Sequence, residues 1–216
     1  MSKLLYVIGS PRGELSESTR IGDEFLSAYQ RARPGLEVDR LDLWNDRLPV
    51  YGGRGAAAKM TVFSGGTPSG EEGEAWADVE RVFARFAAAD EYLFTVPMWN
   101  AGVPWVLKHL IDTITQPGMV FGFDPATGYS PLLQDRRAVV VYTSGVYAPG
   151  APKAFGTDFH SAFFDDWLRF VGIEDIHAVR FQPTVLTQDP AAARAPALSE
   201  ARSLAARLAE PAASAA

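Results

Sequence analysis

The sequence predicts an α/β fold: a doubly wound, five-stranded parallel sheet with strand order 2-1-3-4-5. Three observations carry this. Short apolar runs alternate with longer segments of helical periodicity, which implies parallel strands joined by helices on both faces of a sheet. There are five such runs, which suits this order better than the six-stranded dinucleotide-binding arrangement. No Pro/Gly/Ser linker separates two complete hydrophobic patterns in the 216 residues, so 1–210 reads as a single domain and 211–216 as a frayed Ala/Pro/Ser tail.

Lys3–Ile8 is almost wholly apolar and stops at Gly9-Ser10-Pro11, as a strand covered on both faces does. Over Thr19–Arg33, residues Ile21, Phe25, Ala28, Tyr29 and Ala32 recur at helical spacing, and Pro34-Gly35 ends that helix. Glu37–Leu43 sets Val38, Leu41 and Leu43 among acids and reads as the second strand. Next come a helix over Glu71–Ala89, a strand over Glu91–Val96, a helix over Pro104–Ile114 and a strand over Ala138–Thr143. A helix over Asp158–Val171, a last strand over Ile176–Phe181 and a helix near Ala191–Leu208 complete the pattern. Two segments fall outside it. Gly52–Gly70, rich in Gly, Ala, Ser and Thr, reads as a mobile loop, and Thr115–Leu133 as an aromatic stretch between helix and strand. Loops of this length in compact domains are functional or disordered.

Composition narrows the function. A net charge of −6, with no basic run longer than Arg136-Arg137, argues against nucleic acid as a partner. No apolar run approaches the ~20 residues of a membrane helix, and Met1-Ser2-Lys3 does not open an export signal, so the cytoplasm is the expected compartment. Without cysteine there is no disulfide, iron–sulfur cluster or thiol nucleophile. His109, His160 and His177 lack metal-ligand spacing, so no metal is expected.

In a doubly wound sheet ligands bind beyond the carboxyl ends of the strands, where the winding reverses. After the first strand, Ser10, Ser16, Ser18 and Thr19 surround a helix start, whose free N–H groups and dipole suit a phosphate, with Arg12 or Arg20 adding charge. The alternative is that Ser16 or Ser18 is simply an N-cap in a solvated loop. Neither Gly-x-Gly-x-x-Gly nor a Walker sequence is present. After the third strand, Pro97-Met98-Trp99-Asn100-Ala101 offers flat apolar contact and an amide, the two things a flavin ring requires. Here the alternative is a core or interface Trp99 beside a turn Asn100. After the fourth strand, Ser144-Gly145-Val146-Tyr147 lets the backbone approach a ligand and supplies a phenol. No Ser-His-Asp or paired-carboxylate arrangement is evident.

Together these loops resemble the FMN-dependent NADH-azoreductases, also called NAD(P)H:quinone oxidoreductases, of the flavodoxin-like superfamily. The resemblance rests on Ser16-Glu17-Ser18, on Pro97-Met98-Trp99-Asn100 followed by Val103, Pro104, Leu107, Lys108, Leu110, Ile111 and Asp112, and on Phe170-Val171-Gly172-Ile173. It implies FMN as cofactor, NADH or NADPH as donor, and two-electron ping-pong transfer to a quinone, azo compound or related aromatic acceptor. It places Ser10, Ser16, Glu17 and Ser18, with Arg12 near, around the ribityl phosphate. Met98, Trp99, Asn100 and Ala101, framed by Pro97, would meet the isoalloxazine, and Ser144, Gly145, Val146 and Tyr147 its pyrimidine side. The flavin carries the chemistry, with Tyr147 or water as proton source. The resemblance further implies a homodimer in which Phe121 and Phe123 reach the partner's flavin, against the alternative of local packing. Trp99 stands where the family has tyrosine, Ser144-Gly145-Val146-Tyr147 replaces Ser-Arg-Gly-Gly, and Gly52–Gly70 differs; these departures bear on the family's usual dye and simple-quinone substrates and leave room for a specialised aromatic or natural-product acceptor. A one-electron flavodoxin-type carrier and a non-redox protein that kept the fold are the competing readings.

Overall fold

A computed structural model describes residues 2–210, so the tail assigned to 211–216 lies outside the described residues. In chain order the elements are β1 (Lys3–Ile8), α1 (Glu17–Ala32), β2 (Glu37–Asp42), α2 (Gly53–Phe63), α3 (Gly70–Ala87), β3 (Glu91–Pro97) and α4 (Trp105–Ile114). They continue with β4 (Phe121–Asp124), β5 (Gly128–Pro131), β6 (Arg137–Thr143), α5 (Ser161–Val171), β7 (Asp175–Phe181) and α6 (Pro190–Ala209). The main sheet runs β2-β1-β3-β6-β7 with every pairing parallel. Counting only its own strands, this is the expected 2-1-3-4-5, because β4 and β5 form a separate antiparallel hairpin.

Side chains alternate between the two faces of a strand, and the core divides accordingly. Leu4, Tyr6 and Ile8 of β1 join Leu93, Val139 and Val141 beneath α1 and α6, through Ile21, Phe25, Ala201 and Leu204. Leu5 and Val7 face the other way with Phe94, Val96, Val140 and Tyr142, beneath α3, α4 and α5, through Phe86, Leu110 and Phe164. Double burial explains why the central strands read as unbroken apolar runs. At Gly22 α1 lies close against the sheet: a Cβ there would come within 2.7 Å of both Thr95 and the Tyr6 hydroxyl. Gly172, at φ 108°, ends α5 against the Leu133 carbonyl.

Three expectations are corrected. The segment 52–70 is not a loop: Gly53–Phe63 is helical. Its Ala56-Ala57-Ala58 centre has the highest helix propensity, and Ala58 is buried in a small core with Trp76, Val79 and Met119. The glycines that suggested a loop lie mostly toward its ends. The stretch 115–133 contains the β4–β5 hairpin, so the chain has seven strands and six α-helices among the described residues. Asp158, read as the start of a helix, instead caps α5, its Oδ1 accepting from the N–H groups of His160 (3.0 Å) and Ser161 (2.7 Å). Among the described residues, no helix is long and apolar enough to cross a membrane.

Candidate functional site

The carboxyl ends of β1, β3 and β6 open on one cleft of about 180 Å³. Ser10, Pro11, Arg12, Ser16 and Glu17 line it from the first loop, Pro97, Met98 and Trp99 from the second, and Thr143, Ser144 and Gly145 from the third. Winding reverses between β1 and β3, so this is the switch point of the sheet.

The first loop is built around the start of α1. Ser16 is the N-cap, its Oγ accepting from the Thr19 N–H at 3.2 Å and lying 3.1 Å from the Ser18 hydroxyl. A cap satisfies one of the orphan N–H groups and leaves others of the first turn facing the cleft, so capping and anion binding are compatible here. Thr19 Oγ1 is buried without a hydrogen-bond partner among the described residues. Arg20 is tied back to the Glu14 carbonyl at 2.6 Å, so Arg12 is the arginine that lines the cleft. The Glu17 carboxylate is engaged by Arg194 of α6.

The second loop turns tightly. Trp99 and Gly102 exchange both backbone hydrogen bonds at 2.9 Å, and the residues between them, Asn100 and Ala101, have φ of 49° and 66°. This is the positive-φ pair of a two-residue hairpin turn, and Ala101 adopts it without glycine's freedom. Met98 N–H bonds the Thr143 carbonyl at 2.7 Å, and Phe159 N–H bonds the Ala101 carbonyl at 3.1 Å. Both bonds pin the loop to its neighbours. The third loop is held by the Ser144 hydroxyl donating to the Tyr147 carbonyl at 2.6 Å, and by Thr184 N–H donating to the Ser144 carbonyl at 2.8 Å.

Among the residues singled out from sequence, Ser10, Arg12, Ser16, Glu17, Pro97, Met98, Trp99, Ser144 and Gly145 share the cleft. Ser18 lies buried behind Ser16, while Val146 and Tyr147 lie outside the lining. Asn100 lines a second cleft of about 810 Å³, which also contains Trp99. Phe121 is buried against Tyr129 and Phe170, and Phe123, 45% exposed, packs on Phe63 and Tyr129; neither lines either cleft.

Two contributors were missed. Trp44, just beyond β2, donates its indole N–H to the Gly9 carbonyl at 3.0 Å. Its ring lies 5.4 Å from Trp99 and edge-on to Trp105 at 5.7 Å. Its position at the carboxyl end of the strand beside β1 is the sequence signal that marks it. Thr184 comes from the loop after β7, a source for which the sequence offers no motif.

Hydroxyls and first-turn N–H groups beside Arg12, an apolar Met98–Trp99 wall and a close-approaching Ser144–Gly145 backbone fit a phosphate-bearing planar heteroaromatic such as FMN. The sheet order and this cleft define a flavodoxin-like protein. The chain belongs to the family described as flavodoxin-like fold, which it matches over residues 2–205. An FMN-dependent NADH:quinone oxidoreductase of Ruegeria pomeroyi is 50% identical over 192 residues, covering 89% of this chain and 94% of the relative. A protein of the same name from Desulfotalea psychrophila is 40% identical, covering 86% and 87%. Among solved structures, an FMN-dependent NADH-azoreductase from Bacillus anthracis in complex with FMN superposes with a TM-score of 0.86 at 25% identity, covering 97% of this chain and all of that one.

Proposed function

We propose that this protein is an FMN-dependent oxidoreductase that takes two electrons from NADH and passes them to a quinone, azo or related aromatic acceptor in a ping-pong cycle. The observation that carries the reading is the convergence of Ser16, Met98, Trp99 and Ser144 on one cleft at the sheet's switch point, in a chain half identical to an FMN-dependent NADH:quinone oxidoreductase. The reading treats residues 1–210 as one FMN-binding domain acting in the cytoplasm.

FMN, when bound, supplies the two-electron chemistry. The chain binds, orients and shields. The first-turn N–H groups of α1 and the hydroxyls of Ser10 and Ser16 hold the phosphate, with the Arg12 guanidinium adding charge. Arg194 neutralises Glu17, which removes an anion from the phosphate's surroundings. Met98 and Trp99 would give apolar contact to the ring, and the Ser144–Gly145 backbone, which lines the same cleft, would meet its polar edge. Trp99 and Asn100 also face the second cleft, where donor and acceptor bind in turn. Protons come from water or the Tyr147 phenol. The apolar surface near this cleft, with Trp105 60% and Phe159 65% exposed, supports assembly as a homodimer.

The test is an anaerobic titration of the FMN-loaded protein with NADH, followed by flavin absorption. Equimolar NADH is expected to bleach the flavin directly, with no one-electron radical. A flavin that binds but ignores both NADH and NADPH supports a carrier, and failure to bind FMN overturns the site. Initial-rate lines against both substrates are expected to be parallel; converging lines exclude the ping-pong cycle.

A further inference from the structure

The second cleft adjoins the first at Trp99, and α4 forms one of its sides. Along α4 the buried residues Val106, Leu107, Leu110, Ile111 and Ile114 face the core. Trp105, Lys108, His109 and Asp112, spaced three or four residues apart, turn the remaining stripe of the helix to the cleft. His109 therefore lies one turn beyond Trp105 on the same wall.

The hydrogen bonds of that wall leave a donor of His109 uncommitted. Lys108 and Asp112 satisfy each other at 2.5 Å, and the Tyr51 hydroxyl donates to the Gln116 side chain at 3.4 Å. His109 Nε2 accepts the Tyr51 backbone N–H at 3.5 Å. An imidazole that accepts at one nitrogen donates at the other, so the proton sits on Nδ1. Among the described residues, Nδ1 has no hydrogen-bond partner, and it is not sealed from solvent. An oriented N–H in a cleft walled by Trp99 and Trp105 suits the carbonyl of a flat ring that packs on those indoles.

We propose that the Nδ1–H of His109 donates a hydrogen bond to a ring carbonyl of the acceptor, which makes the cleft selective for quinone-type acceptors. This rests on the reading above that the acceptor occupies the second cleft. The carbonyl oxygen gains negative charge as the ring is reduced, so the bond strengthens toward the transition state. The quinone takes the hydride equivalent that NADH supplies and one proton from water, NADH is oxidised to NAD⁺, and His109 keeps its own proton. The competing role for His109 is structural: its bond to Tyr51 fastens the segment that leads into α2 without reading any ligand.

The experiment compares the FMN-loaded wild type with His109→Asn, whose amide N–H falls near the place of Nδ1, and His109→Gln, whose amide oxygen falls near that of Nε2. The acceptors are 1,4-naphthoquinone and ferricyanide, which takes electrons without a carbonyl. The ratio of their kcat/KM values, which does not depend on the fraction of protein folded, is expected to fall about tenfold in His109→Gln and to hold in His109→Asn. Infrared spectra of bound 9-fluorenone, a flat ring ketone, give a second readout that needs no turnover. Its carbonyl stretch is expected at the lower frequency of a hydrogen-bonded ketone in wild type and at the unbonded frequency in His109→Gln. That pair of spectra supports the assignment whatever His109→Asn does. A stretch unchanged by His109→Gln overturns the proposal, as does a ratio that holds in His109→Gln and falls in His109→Asn, the pattern of a residue that serves only Tyr51. Fluorenone that fails to bind overturns it too, since the cleft then seats no ring ketone. A protein that reduces naphthoquinone with no effect at His109 rejects this inference alone. No turnover with either acceptor rejects the proposed function, and the infrared spectra then decide on His109.

Discussion

Arg194 of α6 binds both carboxylate oxygens of Glu17 in the first turn of α1, with its Nη2 2.9 Å from Oε1. Both side chains are largely buried, at 16% and 18% exposed. The pair fastens α6 to the helix end that lines the cleft, and it cancels a negative charge beside the proposed phosphate site. Arg194→Met is therefore expected to cost about 2 kcal/mol of stability, as loss of a charged hydrogen bond does, and to weaken FMN binding about tenfold. Flavin fluorescence titration measures the affinity. Adding Glu17→Gln is expected to restore FMN binding, because the uncancelled charge is then gone. Undiminished affinity in Arg194→Met would show that the phosphate does not sense Glu17.

Ser16 caps α1 and is proposed to hold the phosphate, and substitution separates the two roles. As the N-cap of α1 it is worth about 1 kcal/mol, which Ser16→Ala loses and Ser16→Gly largely keeps. As a phosphate ligand its hydroxyl is lost in both variants. Both are thus expected to bind FMN more weakly while binding of riboflavin, which has no phosphate, changes little. An equal loss for riboflavin and FMN would leave Ser16 as a cap and nothing more.

What the sequence made legible divides along physical lines. β1 was read with its observed bounds because burial on both faces leaves an unbroken apolar run ended by Gly9-Ser10-Pro11. The cleft loops were legible because topology alone places the ends of β1, β3 and β6 together. Helix α2 was not, since its terminal glycines outweighed Ala56-Ala57-Ala58 and its burial depends on Trp76 of another helix. The Glu17–Arg194 pair spans 177 residues, and nothing local to Glu17 announces its partner. Trp44 was missed for a different reason: β2 contributes through the side chain just past its end, reaching across to Gly9 and Trp99.

That reach makes Trp44 a positioning residue. Trp44→Phe keeps an aromatic ring beside Trp99 and removes the N–H bond to Gly9, with an expected loss of about 1 kcal/mol in stability. Trp44→Ala also removes the support under Trp99 and is expected to alter the visible circular dichroism of bound FMN, which reports the asymmetry around the ring. A spectrum identical to wild type in Trp44→Ala would show that Trp99 holds its place unaided.

Acid is expected to loosen the same region through His160. This residue is fully buried, packs edge-on against Tyr142 at 4.9 Å, and directly follows Phe159, whose N–H bonds the Ala101 carbonyl. Burial pushes its imidazole down to about 4, with the nearby Asp158 carboxylate partly opposing and Arg180 reinforcing the shift. The unfolded chain protonates this histidine near the ordinary 6.5, so between pH 6.5 and 4 the unfolded state binds the extra proton and the folded state does not. Stability is complete above pH 6.5 and falls as pH drops through that window, by ~3 kcal/mol across it. Asp158 itself is held below the usual carboxylate range, chiefly by hydrogen bonds from Ser161 that outweigh its burial, so its own contribution is lost only at lower pH. Urea melts at pH 4.5 and 7 should show this loss in wild type and a much smaller one in His160→Gln, which cannot take up the proton. A wild type equally stable at both pH values would mean that His160 is charged or solvated in the folded protein.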